Sequence, residues 1–149
     1  MTEEQRSVIL DYLAYLIEEL RLRDWTIRLS HDEPNNHECN AMIDPVVGRK
    51  LATIYLCKDF CSLSEQVQTH SLCHELIHLH HISATDIIRL DLTQQLSQSY
   101  YDLLWGTFKR QIEYCVDGLA DAFSLLVSPI NYNSINDTQE ITHETNQPA

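Results

Sequence analysis

The chain contains little glycine, little positive charge and no long apolar segment. Its 149 residues include three glycines, and ten lysines and arginines stand against 22 aspartates and glutamates. The net charge of −12 argues against unaided binding to nucleic acid or to an anionic membrane, and it favours solubility over attraction of a basic partner. No run approaches the roughly 18 consecutive apolar residues of a membrane-spanning helix. These absences predict one globular domain.

Cysteine usage and the first residues of the chain bear on its location. Five cysteines are an odd number, which does not suit a complete disulfide framework. Residues 1–6 are polar and acidic, and they lack the apolar core of a signal peptide. We therefore expect reduced thiols and a cytoplasmic protein. Cys73 and Cys115 are expected to pack in the interior beneath the motif residues described below.

The hydrophobic pattern predicts an α+β domain over residues 1–130. Thr2 and Gln5 form a capping-box signature, and an apolar stripe then continues as a helix to about Arg23. Alternation of apolar and polar side chains predicts a small sheet of two or three strands, over residues 25–29, 41–43 and 50–56. Residues 30–40 have the composition of a loop.

The second half of the chain is helical in pattern. Ser64 is an N-cap signal for an amphipathic helix that runs to about residue 81. Gly106 interrupts the apolar pattern that follows, so we expect two further helices, over residues 85–105 and 107–127. Residues 131–149 are polar and have no period, and we expect them to form a flexible tail.

The first of these helices contains the most informative segment of the chain, HELIH, at residues 74–78. Positions four apart share one face of a helix, so His74 and His78 can bind one Zn²⁺ ion from consecutive turns. Glu75 leaves the helix about 100° away from His74 and can reach a water molecule on the metal without binding the metal itself. The HExxH pattern is typical of zinc peptidases, in which this glutamate is the general base.

A catalytic zinc ion usually takes three protein ligands, and the sequence offers several acids as the third. The metzincin pattern is excluded, because it requires glycine and histidine where this chain has His81 and Ala84. Another common third ligand is a glutamate on a following helix. Three carboxylates do follow at a spacing of four, on one face of a predicted helix: Glu113, Asp117 and Asp121.

HELIH followed by Glu113-x-x-x-Asp117 resembles the gluzincin arrangement, HExxH plus ExxxD. The chain is most similar to small minimal gluzincins and to short metallopeptidase-like proteins of bacteriophages, over roughly residues 25–127. The resemblance implies a zincin-like minimal metallopeptidase domain, with an N-terminal helix, a small sheet, the HExxH helix and C-terminal helices.

The same resemblance assigns a role to each motif residue. It implies that His74, His78 and Glu113 are the metal ligands and that Glu75 is the catalytic base. Asp117 is expected in the second shell of the metal, where it accepts a hydrogen bond from the non-ligating nitrogen of a zinc-bound histidine.

A second register of the same segment remains open. Asp117-x-x-Ala120-Asp121-x-Phe123 resembles the ExxA(N/D)xFA segment of ImmA/IrrE-type peptidases, which would make Asp117 the third ligand. The shorter aspartate side chain counts against this register. Asp121 or a further histidine is a third possibility.

The predicted function is hydrolysis of a peptide or protein substrate, with Zn²⁺ as the cofactor. Glu75 would take a proton from water and deliver it to the leaving amine. In similar zincins, the strand before the motif helix is an edge strand that binds an extended peptide, and residues 51–56 hold that place in this chain. Three residues are candidates for stabilising the oxyanion: Tyr114, Tyr132 and His70.

Two other functions remain open at this point. One is a zincin fold that holds zinc as a binding or regulatory module without turnover. The other is a zinc hydrolase that acts on a small amide. The presence of Glu75 favours an enzyme, because a scaffold does not need a base there. An open groove would indicate a peptide substrate, and a closed pocket would indicate a small amide.

Overall fold

The computed structural model describes residues 1–36 and 38–132. In this part of the chain it has an α+β fold, as predicted, with three α-helices and one three-stranded sheet. The elements are α1 (Glu3–Glu19), β1 (Thr26–Leu29), β2 (Ala41–Pro45), β3 (Leu51–Leu56), α2 (Glu65–Asp86) and α3 (Gln98–Ser124). Every helix described is too short or too polar to cross a lipid bilayer. From position 133 onward, the predicted flexible tail lies outside the described residues.

Two helices begin at the caps that the sequence predicts. The Gln5 N–H donates to the Thr2 hydroxyl at 3.1 Å, and the Gln5 side chain accepts from the Thr2 N–H at 2.9 Å. The Ser64 hydroxyl accepts from the Val67 N–H at 3.3 Å at the start of α2. These bonds satisfy N–H groups that have no partner inside the first helical turn.

Helix α1 ends earlier than predicted, at Glu19. Arg21 adopts the left-handed conformation with a φ of 59°, which turns the chain out of the helix. The N–H groups of Arg21 and Leu22 then donate to the carbonyls of Glu18 and Ile17. This pattern closes the last turn as a Schellman motif does, although no glycine marks the position.

The sheet has the order β1-β3-β2, with β3 in the centre. β3 pairs parallel with β1 and antiparallel with β2, and its residues Ala52, Ile54 and Leu56 are buried. The expectation that residues 51–56 form the edge strand beside the site is therefore wrong. β2 is that edge strand, because the chain returns from β2 to place β3 between the two earlier strands.

The helical second half differs from the prediction at its breaks. Gly106 lies inside the single helix α3 and does not separate two helices. The break lies earlier, where a π-type turn over Ile87–Asp91 and a 3₁₀ turn over Leu92–Gln94 follow α2. A glycine in a helix costs only about 1 kcal/mol relative to alanine, which a long helix packed on its neighbours tolerates.

The segment after α3 returns to the N-terminal half of α2. The buried Thr69 hydroxyl accepts from the Ile130 N–H at 3.0 Å and lies 3.2 Å from the Tyr12 hydroxyl. The Tyr12 hydroxyl also donates to the Ser128 carbonyl at 2.7 Å. Burial raises the pKa of Tyr12 to about 12, so this hydroxyl keeps its proton as a donor. This network fixes α2 between α1 and the end of the described chain.

Candidate metal centre

Helices α2 and α3 run antiparallel, and a row of histidines on α2 faces a row of acids on α3. Both rows have a spacing of four residues, which places each on a single helix face. The acid numbers fall as the histidine numbers rise, in the pairs His70–Asp121, His74–Asp117 and His78–Glu113. The structure therefore brings the HExxH segment and all three candidate acids together along one helix interface.

Three side-chain atoms of this interface converge on one point. The Nε2 atoms of His74 and His78 are 3.1 Å apart, and the Oε2 atom of Glu113 lies 3.7 Å and 3.5 Å from them, respectively. Tetrahedral zinc with bonds of about 2.0–2.1 Å separates its ligand atoms by about 3.4 Å. The triangle therefore has the dimensions and donor types of a metal site. Among the described residues, these three form the one group of three or more His, Cys, Asp or Glu side chains whose ligating atoms all lie within 4.8 Å of one another.

The other two acids lie outside this triangle. Asp117 Oδ1 is 3.1 Å from Nδ1 of His74, on the opposite side of the ring from the atom that faces Glu113. Asp121 Oδ1 is 3.0 Å from Nε2 of His70. Asp117 therefore contacts a histidine of the triangle through its other ring nitrogen, and Asp121 contacts a histidine that does not join the triangle.

Glu75 lies beside the triangle and contacts the edge strand. Its Oε2 atom accepts a hydrogen bond from the Ile43 N–H of β2 at 2.8 Å. Burial raises the pKa of the Glu75 carboxyl to about 8; the Ile43 hydrogen bond opposes this shift and the Glu113 carboxylate adds to it. Glu75 lines the same cleft as His74, His78 and Glu113 and lies outside the group of converging atoms.

Burial also affects the second histidine of the motif. It lowers the pKa of His78, although the Glu113 carboxylate acts in the opposite direction. The neutral imidazole that results is the form that binds a metal ion.

A cleft of about 450 Å³ lies over the HExxH residues His74, Glu75 and His78. One wall is the edge strand β2, through Ala41, Met42, Ile43 and Pro45. Another is the first half of α3, through Trp105, Phe108, Lys109 and Ile112. Arg89, on the turn after α2, also lines the cleft, as do Asn36 and Cys39 before β2. The cleft gives a ligand access to the metal triangle from the side of the sheet edge.

Sequence reasoning missed the α3 wall of this cleft, although a signal for it was available. Trp105, Phe108, Lys109, Ile112 and Glu113 are spaced by three and four residues, which places them on one helix face. The predicted break at Gly106 obscured this stripe, because it separated Trp105 from the rest.

None of the three candidates for oxyanion stabilisation lines the cleft. The Tyr114 side chain points to solvent, with 64% of the residue exposed. The Tyr132 hydroxyl donates to Gln68 Oε1 at 2.6 Å, and His70 is held by Asp121. The structure thus directs these side chains to other partners or to solvent.

The two cysteines beside the motif residues differ in burial. Cys73 is fully buried, as expected, whereas Cys115 is exposed, so the expectation for Cys115 is wrong. Cys115 follows Tyr114 on the solvent side of α3, while the buried residues Val116 and Ala120 face α2.

No protein-family model, curated protein or solved structure matches the chain. The gluzincin resemblance therefore rests on the residues of the two motifs themselves. Glu113 belongs to one of those motifs, and His74 and His78 belong to the other.

Proposed function

We propose that the protein is a zinc-dependent hydrolase with a zincin-like fold that cleaves peptide bonds. The observation that carries the proposal is the triangle of His74, His78 and Glu113, with Glu75 beside it. Two histidines and one glutamate are a frequent donor set of catalytic zinc sites, which leave a position for water. Exclusion of Glu75 from the triangle supports its role as a base rather than a ligand.

Each residue of the centre then has a distinct task. Zn²⁺ bound to the triangle would lower the pKa of a bound water toward about 7 and polarise the substrate carbonyl. The charge of that ion would also favour the ionised form of Glu75, against the effect of burial on its pKa. As a carboxylate, Glu75 takes the proton of the attacking water and later delivers it to the leaving amine. Asp117 holds the His74 ring in the tautomer whose Nε2 lone pair points into the triangle.

The edge strand β2 supports a peptide as the substrate. The residues that flank β2 bond toward β3: the Val46 N–H donates to the Leu51 carbonyl, and the Asn40 carbonyl accepts from the Cys57 N–H. Antiparallel pairing alternates, so the main-chain groups of Ala41 and Ile43 turn the other way, toward the cleft. The Ile43 N–H donates to Glu75 there, so the Ile43 carbonyl and the Ala41 groups are the ones that face a peptide. An extended peptide added at this edge would run past Glu75, with affinity from main-chain hydrogen bonds.

The test compares Glu75→Gln with Glu65→Gln, the same change at an exposed position of the same helix. A tryptic digest of casein is the substrate, new cleavage products are quantified by mass spectrometry, and zinc is measured by elemental analysis. We expect both variants to retain zinc, and only Glu75→Gln to lose about 10²–10⁴-fold in rate.

Two results would overturn the proposal. Loss of zinc in Glu75→Gln would make Glu75 a ligand. A zinc-loaded wild type that cleaves no peptide of the digest would favour a binding module without turnover.

A further inference from the structure

The cleft differs in charge from the rest of the molecule. The chain carries a net charge of −12 and has ten lysines and arginines, of which Lys109 and Arg89 line the cleft. The acids of the cleft are Glu75 and Glu113, and both are engaged at the metal centre. Beyond that centre, the charge on the described walls is therefore positive.

The two cations are free to meet a ligand. Within the part of the chain that the structure describes, neither Lys109 nor Arg89 forms an ion pair, and both are exposed at the rim. Lys109 lies one helical turn before Glu113, so it projects from the face of α3 that carries the proposed metal ligand. A substrate at the metal would thus lie within reach of its ammonium group.

Apolar side chains accompany these cations. Trp105 and Phe108 stand on the same face of α3, with ring centroids 6.1 Å apart, and both line the cleft. An aromatic wall beside two cations suits a ligand segment that combines an apolar side chain with a carboxylate.

We propose that the cleft selects peptides that carry an acidic side chain close to an apolar residue at the cleavage site, with Lys109 and Arg89 as the specificity-determining residues. This inference rests on the proposed peptidase function. The net charge of the chain predicts the opposite preference, for basic peptides. The peptide preference therefore distinguishes an effect of the two cleft cations from an effect of the net charge.

The experiment uses three end-capped nonapeptides with a central phenylalanine, flanked on both sides by Glu, Gln or Lys and otherwise identical. Binding to zinc-loaded Glu75→Gln protein is measured by calorimetry, and cleavage is measured with the wild type. The Glu peptide should bind about fivefold more tightly than the Gln peptide at 50 mM salt, and the Lys peptide should bind most weakly. The advantage should shrink at 500 mM salt, because the cations are exposed.

Charge-removing variants locate the preference. Lys109→Gln and Arg89→Gln, each made in the Glu75→Gln background, should lower the Glu-to-Gln affinity ratio toward one and leave Gln-peptide affinity within about twofold. Lys58→Gln is the matched control, since it removes the same charge from an exposed position outside the cleft. This control should keep the full ratio.

Equal affinity for the Glu and Gln peptides, a preference for Lys, or a preference that survives loss of both cations would overturn the inference. Cleavage of all three peptides at equal rates would reject the acidic preference and leave the peptidase function standing. Preferential binding of the Glu peptide without any cleavage would reject the peptidase function and support the cationic subsite.

Discussion

Nδ1 of His74 lies 3.1 Å from Oδ1 of Asp117, while Nε2 of the same ring faces the His78 and Glu113 side chains. One nitrogen of this imidazole thus contacts a carboxylate, and the other faces the remaining two residues of the triangle. A carboxylate on Nδ1 keeps a proton there, so the lone pair of Nε2 is available to a metal ion.

Asp117→Asn should therefore weaken zinc binding without abolishing it. The amide keeps the shape of the side chain but loses the charge that holds the Nδ1 proton, and such losses typically cost about 10–100-fold in metal affinity. Competition with a chromogenic chelator measures this affinity. Asp121→Asn, the same change one turn further along α3, is the control and should change affinity less than about twofold. An Asp117→Asn protein with wild-type affinity would contradict the assigned role.

Gly106→Ala should stabilise the protein by about 0.5–1 kcal/mol. Gly106 is exposed inside α3, and no atom beyond the adjacent residues and the backbone of its own helical turns lies within 4 Å of an added Cβ, so alanine gains helix propensity without a clash. Gly48→Ala is the control and should destabilise, because Gly48 has a φ of 69° in the turn between β2 and β3. Urea denaturation measures both. Destabilisation by Gly106→Ala would indicate a break in the helix at that position.

The cysteines should differ sharply in reactivity in the folded protein. Cys73 is fully buried, and burial raises the pKa of its thiol to about 12, so almost no thiolate is present at pH 8. Cys115 is exposed. N-ethylmaleimide at pH 8 should modify Cys115 and spare Cys73 until urea unfolds the protein, as followed by peptide mapping. Equal labelling of both in the native state would contradict the packing of α2 described above.

Features that depend on local sequence were predictable. The caps at Thr2 and Ser64 and the shared face of His74 and His78 follow from spacings within a single helix. The end of α1 was missed because Arg21, and not glycine, takes the left-handed position there. Local signals fail where a residue adopts a conformation that its type seldom prefers.

Features that depend on distant pairing were less predictable. The order of the sheet follows from β1 pairing in parallel with β3 across the intervening β2, and nothing in the strand sequences specifies this choice. For the same reason, the edge strand beside Glu75 was assigned to residues 51–56, when β2 holds that place. The sequence placed Glu113, Asp117 and Asp121 on one face, but only the packing of α3 on α2 pairs each acid with a histidine.

The central claim is that Glu113 completes the metal site with His74 and His78. The most direct measurement is the zinc content of purified wild type, Glu113→Ala and Asp121→Ala after zinc loading and gel filtration. Asp121 is the control residue, because it lies two turns along the same helix and pairs with His70 outside the triangle.

We predict about one zinc per chain in wild type and in Asp121→Ala, and far less in Glu113→Ala, because loss of one of three ligands opens the site. The double variant His74→Ala, His78→Ala should also be free of tightly bound zinc. Full zinc occupancy in Glu113→Ala would contradict the account. If Asp117→Asn were also free of zinc, the results together would favour the ImmA/IrrE-like register, in which Asp117 is the third ligand.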